Sequence, residues 1–301
     1  MSDQRRPTAS DFDPQVLRLF DQYVHGVIDR RGFLAGAARH AVGASGAAAL
    51  LAALSPRFAE AQQVKPDDAR IEATWVEIDS PDGYGKVRGY LACPAKPEGP
   101  LAPVLVVHEN RGLNPHIEDV ARRFALEGYA ALAPDALFPL GGYPGDEDAA
   151  RALFQKLDQA KTREDFLAAA RRHERFEGGT GRLGVVGFCY GGGMANFLAT
   201  RLPQLAAAAP FYGNAAPLED VGKIKAELLV VLAANDERIN AAWPAYRAAL
   251  DAAGVRYDVY QPAGTQHGFH NDTTPRYDEA AAREAWRRTL ALFERTLRAQ
   301  A

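Results

Sequence analysis

Cysteine is scarce: only Cys93 and Cys189 occur in 301 residues, and no C-x-x-C pair or paired zinc-ligand spacing accompanies them. A disulfide framework is therefore excluded, because one bridge is the most the chain could form. Charge of one sign is not in excess. There are 35 Lys and Arg against 38 Asp and Glu, a formal net charge of −3. That balance lacks the basic stripe of a surface that binds nucleic acid. No stretch reaches the ~20 strongly apolar residues that span a bilayer, so no stable membrane anchor is expected. Hydrophobic residues make up 47% and charged residues 24%, proportions of a folded chain rather than a disordered one. There is no internal repeat, and nothing after residue 65 reads as a linker, so residues 62–301 are expected to form one domain.

The first 61 residues differ in composition from the remainder. Arg30-Arg31-Gly32-Phe33-Leu34 is followed by an uncharged run over 41–54 that is rich in Ala and Gly. The run ends at Ser55-Pro56, and Ala59-Glu60-Ala61 then supplies a small-x-small site. A basic pair, an apolar run and a small-residue site, in that order, form the layout of an export signal. The basic pair resembles the twin-arginine signal, which marks proteins exported after folding. Two residues depart from it: Asp29 stands where Ser or Thr is usual, and Ala35 where Lys is common. The expectation is a twin-arginine-type export signal over 1–61, with the twin-arginine export machinery as a partner. Cleavage near Ala61 would leave a periplasmic or secreted protein. An amphipathic N-terminal helix that stays on the chain is the other reading of the same residues.

Residues 71–79 and 86–93 alternate apolar and polar around Pro81-Asp82-Gly83, the pattern of a β-hairpin. Short apolar runs at 104–108, 129–133, 183–187, 206–211 and 228–233 read as strands, the continuous ones as strands buried on both faces. A further strand is expected at 257–261. Helical segments are read at 115–127, 149–157, 163–176, 191–202, 241–253 and 275–297. Alternating β and α units predict an α/β fold: a mostly parallel sheet with helices on both faces and an N-terminal β-hairpin. The Gly- and Pro-rich stretch 138–146 reads as a cap over a site or as an ordinary surface loop.

Gly187-Phe188-Cys189-Tyr190-Gly191 lies between an expected strand and an expected helix. It is the G-x-S-x-G nucleophile turn with Cys in place of Ser. Such a turn strains the central residue and crowds its flanks, which glycine relieves. It pushes the central side chain out at the C-terminal end of the sheet, where open α/β sheets bind ligands. The free N–H groups of the following helix favour a thiolate. A buried structural cysteine in a Gly-rich turn is the competing reading. Gly191-Gly192-Gly193 lacks the Lys-Ser/Thr of a phosphate loop and the spacing of a dinucleotide fingerprint. Asp236 follows the strand at 228–233, and His267 follows the strand at 257–261. The order nucleophile, acid, histidine is that of the α/β-hydrolases.

Gly187-Phe188-Cys189-Tyr190-Gly191-Gly192, Asp236 and His267-Gly268-Phe269 together resemble the dienelactone hydrolase (carboxymethylenebutenolidase) family. His108-Glu109-Asn110-Arg111-Gly112, residues 129–135 and Phe211-Tyr212-Gly213 fit the same pattern. The resemblance implies an α/β-hydrolase fold, a small-molecule ester or lactone substrate and no cofactor. Cys189 would attack the carbonyl to give a thioester, with His267 moving the proton and Asp236 orienting His267. The backbone N–H groups of Tyr190 and Asn110 would meet the oxyanion. In the resembled family the glutamate matching Glu109 contacts the resting cysteine until substrate displaces it, which implies a thiolate triggered by substrate. The family also clamps a substrate carboxylate with arginines, one shortly after the catalytic histidine. Here no arginine follows His267 until Arg276, so Arg111 and Arg238 are the candidate substrate-binding residues. Asp119, Arg122 and Arg123 are expected on a solvated helix face.

His108, Glu109, His116, His267 and His270 offer ligand types for a metal, but their spacing does not specify a site, and none is expected. His116, early in a helix, is expected to be exposed. Two functions compete with hydrolysis: an exported thiol-redox protein with Cys93 as the resolving thiol, and a non-catalytic binding protein on the same fold. Cys93 ends a strand before Pro94 and reads as a packed apolar residue. All three positions of the Cys-His-Asp set are filled.

Overall fold

The structure, a computed structural model, describes residues 6–41 and 43–298. Its centre is one eight-stranded sheet in the order β1-β2-β4-β3-β5-β6-β7-β8. β1 (Ile71–Ser80) and β2 (Gly85–Pro94) form the antiparallel hairpin, and β2 also pairs antiparallel with β4 (Tyr129–Pro134). β3 (Ala102–Val107), β5 (Gly184–Phe188), β6 (Ala207–Phe211), β7 (Glu227–Val231) and β8 (Tyr257–Tyr260) continue the sheet in parallel. The expected α/β fold is the one observed.

Four helices precede the sheet: α1 (Pro14–Val24), α2 (Arg30–Ala37), α3 (Gly43–Leu54) and the single-turn α4 (Phe58–Ala61). Within and after the sheet come α5 (Pro115–Leu126), α6 (Glu147–Phe154), α7 (Gln159–Glu174) and α8 (Tyr190–Arg201). The short α9 (Glu237–Asn240), α10 (Trp243–Ala252) and α11 (Glu279–Leu297) complete the set. Asn114, Asp146, Asp158, Asp236 and Asp278 each cap the helix that follows by accepting a backbone N–H of its first turn.

Alternation within the strands divides the core in two, since successive side chains point to opposite faces. Leu105 and Val107 face a core built with Phe166, Leu167, Leu198 and Leu250 of α7, α8 and α10. Val104 and Val106 face the other, built with Ile117, Val120 and Phe124 of α5 and Leu292 and Phe293 of α11. The chain adds β4 on one side of β3 and β5 on the other. The C-terminal ends of β3 and β5 are therefore a topological switch point, where such sheets leave a crevice.

The N-terminal helices have a core of their own, in which Phe20, Tyr23, Phe33, Leu51 and Leu54 are buried together. Asp29 caps α2 by accepting from the Gly32 N–H at 2.7 Å, and Phe33 is fully buried. The residues that resemble a twin-arginine signal thus also encode a capped helix and its anchor. Residues 1–5 and 42, part of the expected signal, lie outside the described residues. No helix among the described residues is long and apolar enough to cross a membrane.

Contacts tie the end of this segment to the sheet domain. The Arg57 N–H donates to Thr273 O at 2.9 Å, and the Val64 N–H to Asp119 Oδ1 at 2.8 Å. This corrects the expectation that Asp119, Arg122 and Arg123 are solvated. Asp119 and Arg122 are buried, Arg122 Nε donates to Val64 O, and Arg123 bridges Asp119 and Asp272. His116 is likewise buried, with Nδ1 3.4 Å from Asp272. A helix period shows the polar face of α5 but not that residues 62–64 lie across it.

Backbone packing at the turn after β5 leaves no room for a side chain at Gly187, where a Cβ would sit 2.0 Å from Gly191 O. Gly187→Ala is expected to destabilise the protein by about 3 kcal/mol, measured by urea denaturation. Wild-type stability in that variant would show that the turn can relax.

Candidate active site

Cys189 occupies the turn between β5 and α8 with φ 55° and ψ −111°, a conformation that side chains rarely adopt. Its N–H donates to Phe211 O at 3.0 Å, and its carbonyl accepts from Gly192 and Gly193. Gly191 and Gly192 let the helix approach Val107 O and Phe211 O, where a Cβ would lie 2.2 and 2.4 Å away. The sulfur stands at the start of α8, whose first N–H groups have no partner inside the helix.

His267 and Asp236 arrive from loops after β8 and β7. These loops are stitched together: Asn235 N–H donates to Thr265 O at 2.9 Å, and Ala234 N–H to Thr265 Oγ1 at 3.1 Å. Asp236 Oδ2 lies 2.6 Å from His267 Nδ1, while Oδ1 accepts from Ile239 N–H at 3.3 Å. Both side chains are buried. This bond fixes the tautomer, leaving Nε2 free of other hydrogen bonds. Cys189 Sγ and one ring nitrogen each of His267 and His25 lie within 4.8 Å of one another. Tyr212, held at φ 38°, packs its ring 4.9 Å from that of His267.

Burial opposes charge at Cys189 and His267, but each favours charge on the other. His267 together with His25 holds the thiol well below its ordinary value. Cys189 and Asp236 hold the imidazole well above its own. The thiolate is therefore present above the lowered thiol value, and the imidazolium below the raised imidazole value. The ion pair spans the pH window between them.

The loop after β3 forms the facing wall. His108 is fully buried and kept neutral by burial, its pKa lowered to about 4. Its Nε2 accepts from Ala136 N–H and its Nδ1 donates to Glu109 O at 2.6 Å, fixing the loop. Glu109 Oε2 accepts from Asn271 Nδ2 at 3.0 Å. Among the described residues no hydrogen bond joins Glu109 to Cys189, and His25 Nε2 lies 3.5 Å from the sulfur. The expected arginines are also otherwise engaged. Arg111 Nη1 donates to Val24 O and Asn110, and Arg238 Nη2 lies 3.0 Å from His25 Nε2. Arg276 lines the cavity and is buried; among the described residues its Nε and Nη1 make no hydrogen bond, and Nη1 lies 3.8 Å from Asp21 Oδ1.

The cavity above Cys189 holds about 300 Å³ and is bounded by Glu109, Arg111, His267, Asn271 and Arg276, with Tyr143 and Asp146 from the loop 138–146. The N-terminal segment adds Phe20, Tyr23, Val24, His25 and Arg30 to the wall, and Glu147 and Asp148 of α6 add acidic groups. Of the imagined metal ligands, His108 and His116 are occupied elsewhere, and His270 stacks on Phe188, held neutral by burial with a pKa of about 3. The one cluster of metal-ligating types among the described residues is His25, Cys189 and His267. Both cysteines are free, and burial and Glu72 push the Cys93 thiol up to about 11, which disfavours it as a resolving thiol.

Residues 87–297 match the family model of the dienelactone hydrolases. The chain belongs to the dienelactone hydrolase family. A provisionally named carboxymethylenebutenolidase of Escherichia coli (strain K12) is 33% identical over 246 residues, covering 76% of this chain and 89% of that protein. The crystal structure of a provisionally named dienelactone hydrolase from Klebsiella pneumoniae has a TM-score of 0.65 at 30% identity, covering 74% of this chain and 98% of that one. A dienelactone hydrolase-like promiscuous phosphotriesterase from metagenomic libraries has a TM-score of 0.63 at 25% identity, covering 75% and 99%. Residues 3–42 match a second family model, described as YqhI-like. The protein is a carboxymethylenebutenolidase-like hydrolase with the α/β-hydrolase fold.

Three residues of this site were not singled out for it from sequence: His25, Asn271 and Tyr212. Arg276 was passed over for its distance from His267. Asn271 and Arg276 lie at 268–278, which is irregular; helix α11 begins only at Glu279. The thiolate–imidazolium pair predicts that iodoacetamide labels Cys189 at pH values well below the ordinary thiol pKa of ~8.5. Labelling should fall away as acid takes the pH through the lowered thiol value. Asp236→Asn should move that midpoint upward. A wild-type midpoint at the ordinary thiol value would rule the ion pair out.

Proposed function

We propose that the protein hydrolyses small carboxylic esters or lactones through a Cys189-His267-Asp236 triad and a thioester intermediate. The observation that carries this reading is a strained, ionisable cysteine at the start of α8, sharing one cavity with a histidine oriented by a buried aspartate. The Cys189 thiolate adds to the carbonyl carbon, forming a C–S bond and an oxyanion. The Tyr190 and Asn110 backbone N–H groups receive that oxyanion. Collapse breaks the C–O bond, and the departing alkoxide takes the proton from His267 Nε2. Neutral His267 then takes a proton from water, the hydroxide adds to the thioester, and the C–S bond breaks. The carboxylic acid leaves, and the thiolate and imidazolium are restored. Asp236 stays ionised and steadies the imidazolium throughout.

Arg276 supplies the positive end of the substrate pocket. Its Nε, without a hydrogen bond among the described residues, and its Nη1, 3.8 Å from Asp21, favour an ester or lactone that carries a carboxylate. The arginine that the family resemblance led us to seek just after His267 is replaced by one nine residues later, brought back by the irregular segment.

The full chain should hydrolyse a panel of activated esters and lactones, dienelactone included, and Cys189→Ala should abolish turnover on every member. Turnover surviving in Cys189→Ala would refute the nucleophile. Removal of metal ions with 1,10-phenanthroline should leave wild-type activity unchanged. A loss restored by added zinc would instead assign His25, Cys189 and His267 to a metal. Arg276→Gln should raise KM about tenfold or more for a carboxylate-bearing ester, the worth of a hydrogen bond to a charged group, and leave KM for a neutral ester unchanged. Equal effects on both would remove Arg276 from substrate recognition.

A further inference from the structure

We propose that the N-terminal helical segment is a permanent wall of the active site and that His25, which it carries, is a catalytic residue holding the Cys189 thiolate. This inference rests on Cys189 being the nucleophile. His25 follows α1 directly, and its Nε2 approaches the Cys189 sulfur to 3.5 Å, across 164 residues of chain. Its ring meets that of His267 edge-on at 4.6 Å, so the sulfur is flanked by two imidazoles.

Both sides of His25 are built. Nδ1 faces the Asp21 carbonyl at 2.8 Å and the Asp21 carboxylate at 3.3 Å. Arg276 in turn lies 3.8 Å from Asp21. Nε2 has the sulfur on one side and Arg238 Nη2 at 3.0 Å on the other. The charged and titratable groups around His25 are thus Asp21, Cys189, Arg238 and His267, with Arg276 behind Asp21. A guanidinium only donates, so a neutral His25 accepts from Arg238, and a charged one donates to the sulfur. The two roles exclude each other at Nε2: only the charged imidazole donates to the sulfur, and in the neutral state the positive charge nearest the sulfur on this side is that of Arg238.

The backbone that delivers His25 is clamped by the catalytic domain. Asn110 Nδ2 and Arg111 Nη1, on the proposed oxyanion loop, both donate to Val24 O, at 2.9 and 3.1 Å. Arg151 donates to Tyr23 O and stacks on the Tyr23 ring, and the Tyr23 hydroxyl bonds to Asp148. Arg30, first of the pair that resembles an export signal, bonds to the same Asp148 at 3.1 Å. Ala61, the expected cleavage point, is buried. The export reading and the retained wall lay claim to the same residues, and the state of the purified chain separates them.

The experiment uses the full chain, His25→Ala and His25→Gln, with Cys189→Ala as control. Thiolate formation is followed by ultraviolet absorbance against pH, and hydrolysis by kcat/KM. Removing the imidazole should raise the thiol titration by about 1–3 pH units and lower kcat/KM about tenfold or more. Added free imidazole should restore part of the activity of His25→Ala. Intact mass of the active protein from the cells that make it should include residues 6–61. Unchanged titration and turnover in folded His25 variants would overturn the inference. So would faster turnover, which would make the segment a plug, or a fully active natural product beginning near residue 62. Activity surviving in Cys189→Ala would instead defeat the nucleophile assignment, a failure distinct from any of these.

Discussion

Cys189 is held at a positive φ that side chains avoid, at a typical strain of about 1–3 kcal/mol. The surrounding backbone holds it there. β6 takes its N–H through Phe211 O, the first turn of α8 takes its carbonyl, and glycines at 187, 191 and 192 allow strand and helix backbones to touch. Strain at this one residue sets two things at once. It projects the sulfur into the cavity at the C-terminal ends of β3 and β5, and it starts α8 at the next residue, Tyr190. Any relaxation of the turn would move the sulfur and the first N–H groups of α8 together.

A buried sulfur can ionise only if positive charge comes close, and the fold meets that need from distant parts of the chain. His267 is placed by the stitched loops after β7 and β8, with Asp236 behind it. His25 is placed by the N-terminal bundle, with Asp21 behind it. The two arrangements are alike in form: an imidazole facing sulfur with one nitrogen and a carboxylate residue with the other. They differ in what surrounds the second partner. Asp236 is buried and bonded to a helix start, whereas Asp21 is partly open and shares Arg276 with the cavity. Desolvation therefore makes the His267 pair the stiffer of the two.

Much of this was legible in sequence because it is local. The turn Gly187–Gly191 states its own geometry, and Asp236 and His267 each follow a strand whose apolar run is easily read. What was not legible depends on segments meeting across the fold. The carboxylate of Asp119 looks solvated on a helical wheel, but it receives the N–H groups of Gln63 and Val64. Arg276 looks too far from His267, until residues 268–278 prove irregular and fold back beneath it. His25 carries no local signal at all, since a lone histidine after an amphipathic helix is ordinary. Only the docking of α1 against Asn110, Arg111 and Arg151 gives it a role.

The same limit explains the ambiguity of the first 61 residues. An uncharged run of Ala, Gly and Leu after two arginines suits an export signal, and it equally suits α3 of a small bundle, in which close helix packing favours small residues. Composition cannot separate these, because both require a weakly apolar helix after a polar start. Burial can. In the docked state Phe33 and Leu54 are fully covered, while Arg30, bonded to Asp148, stays exposed. The docked helices line the cavity beside Cys189 with Phe20, Tyr23, Val24 and His25. A segment that lends the proposed nucleophile an imidazole is coupled to the chemistry through the sulfur itself: whatever undocks α1 also withdraws His25 from Cys189 and raises the thiol pKa.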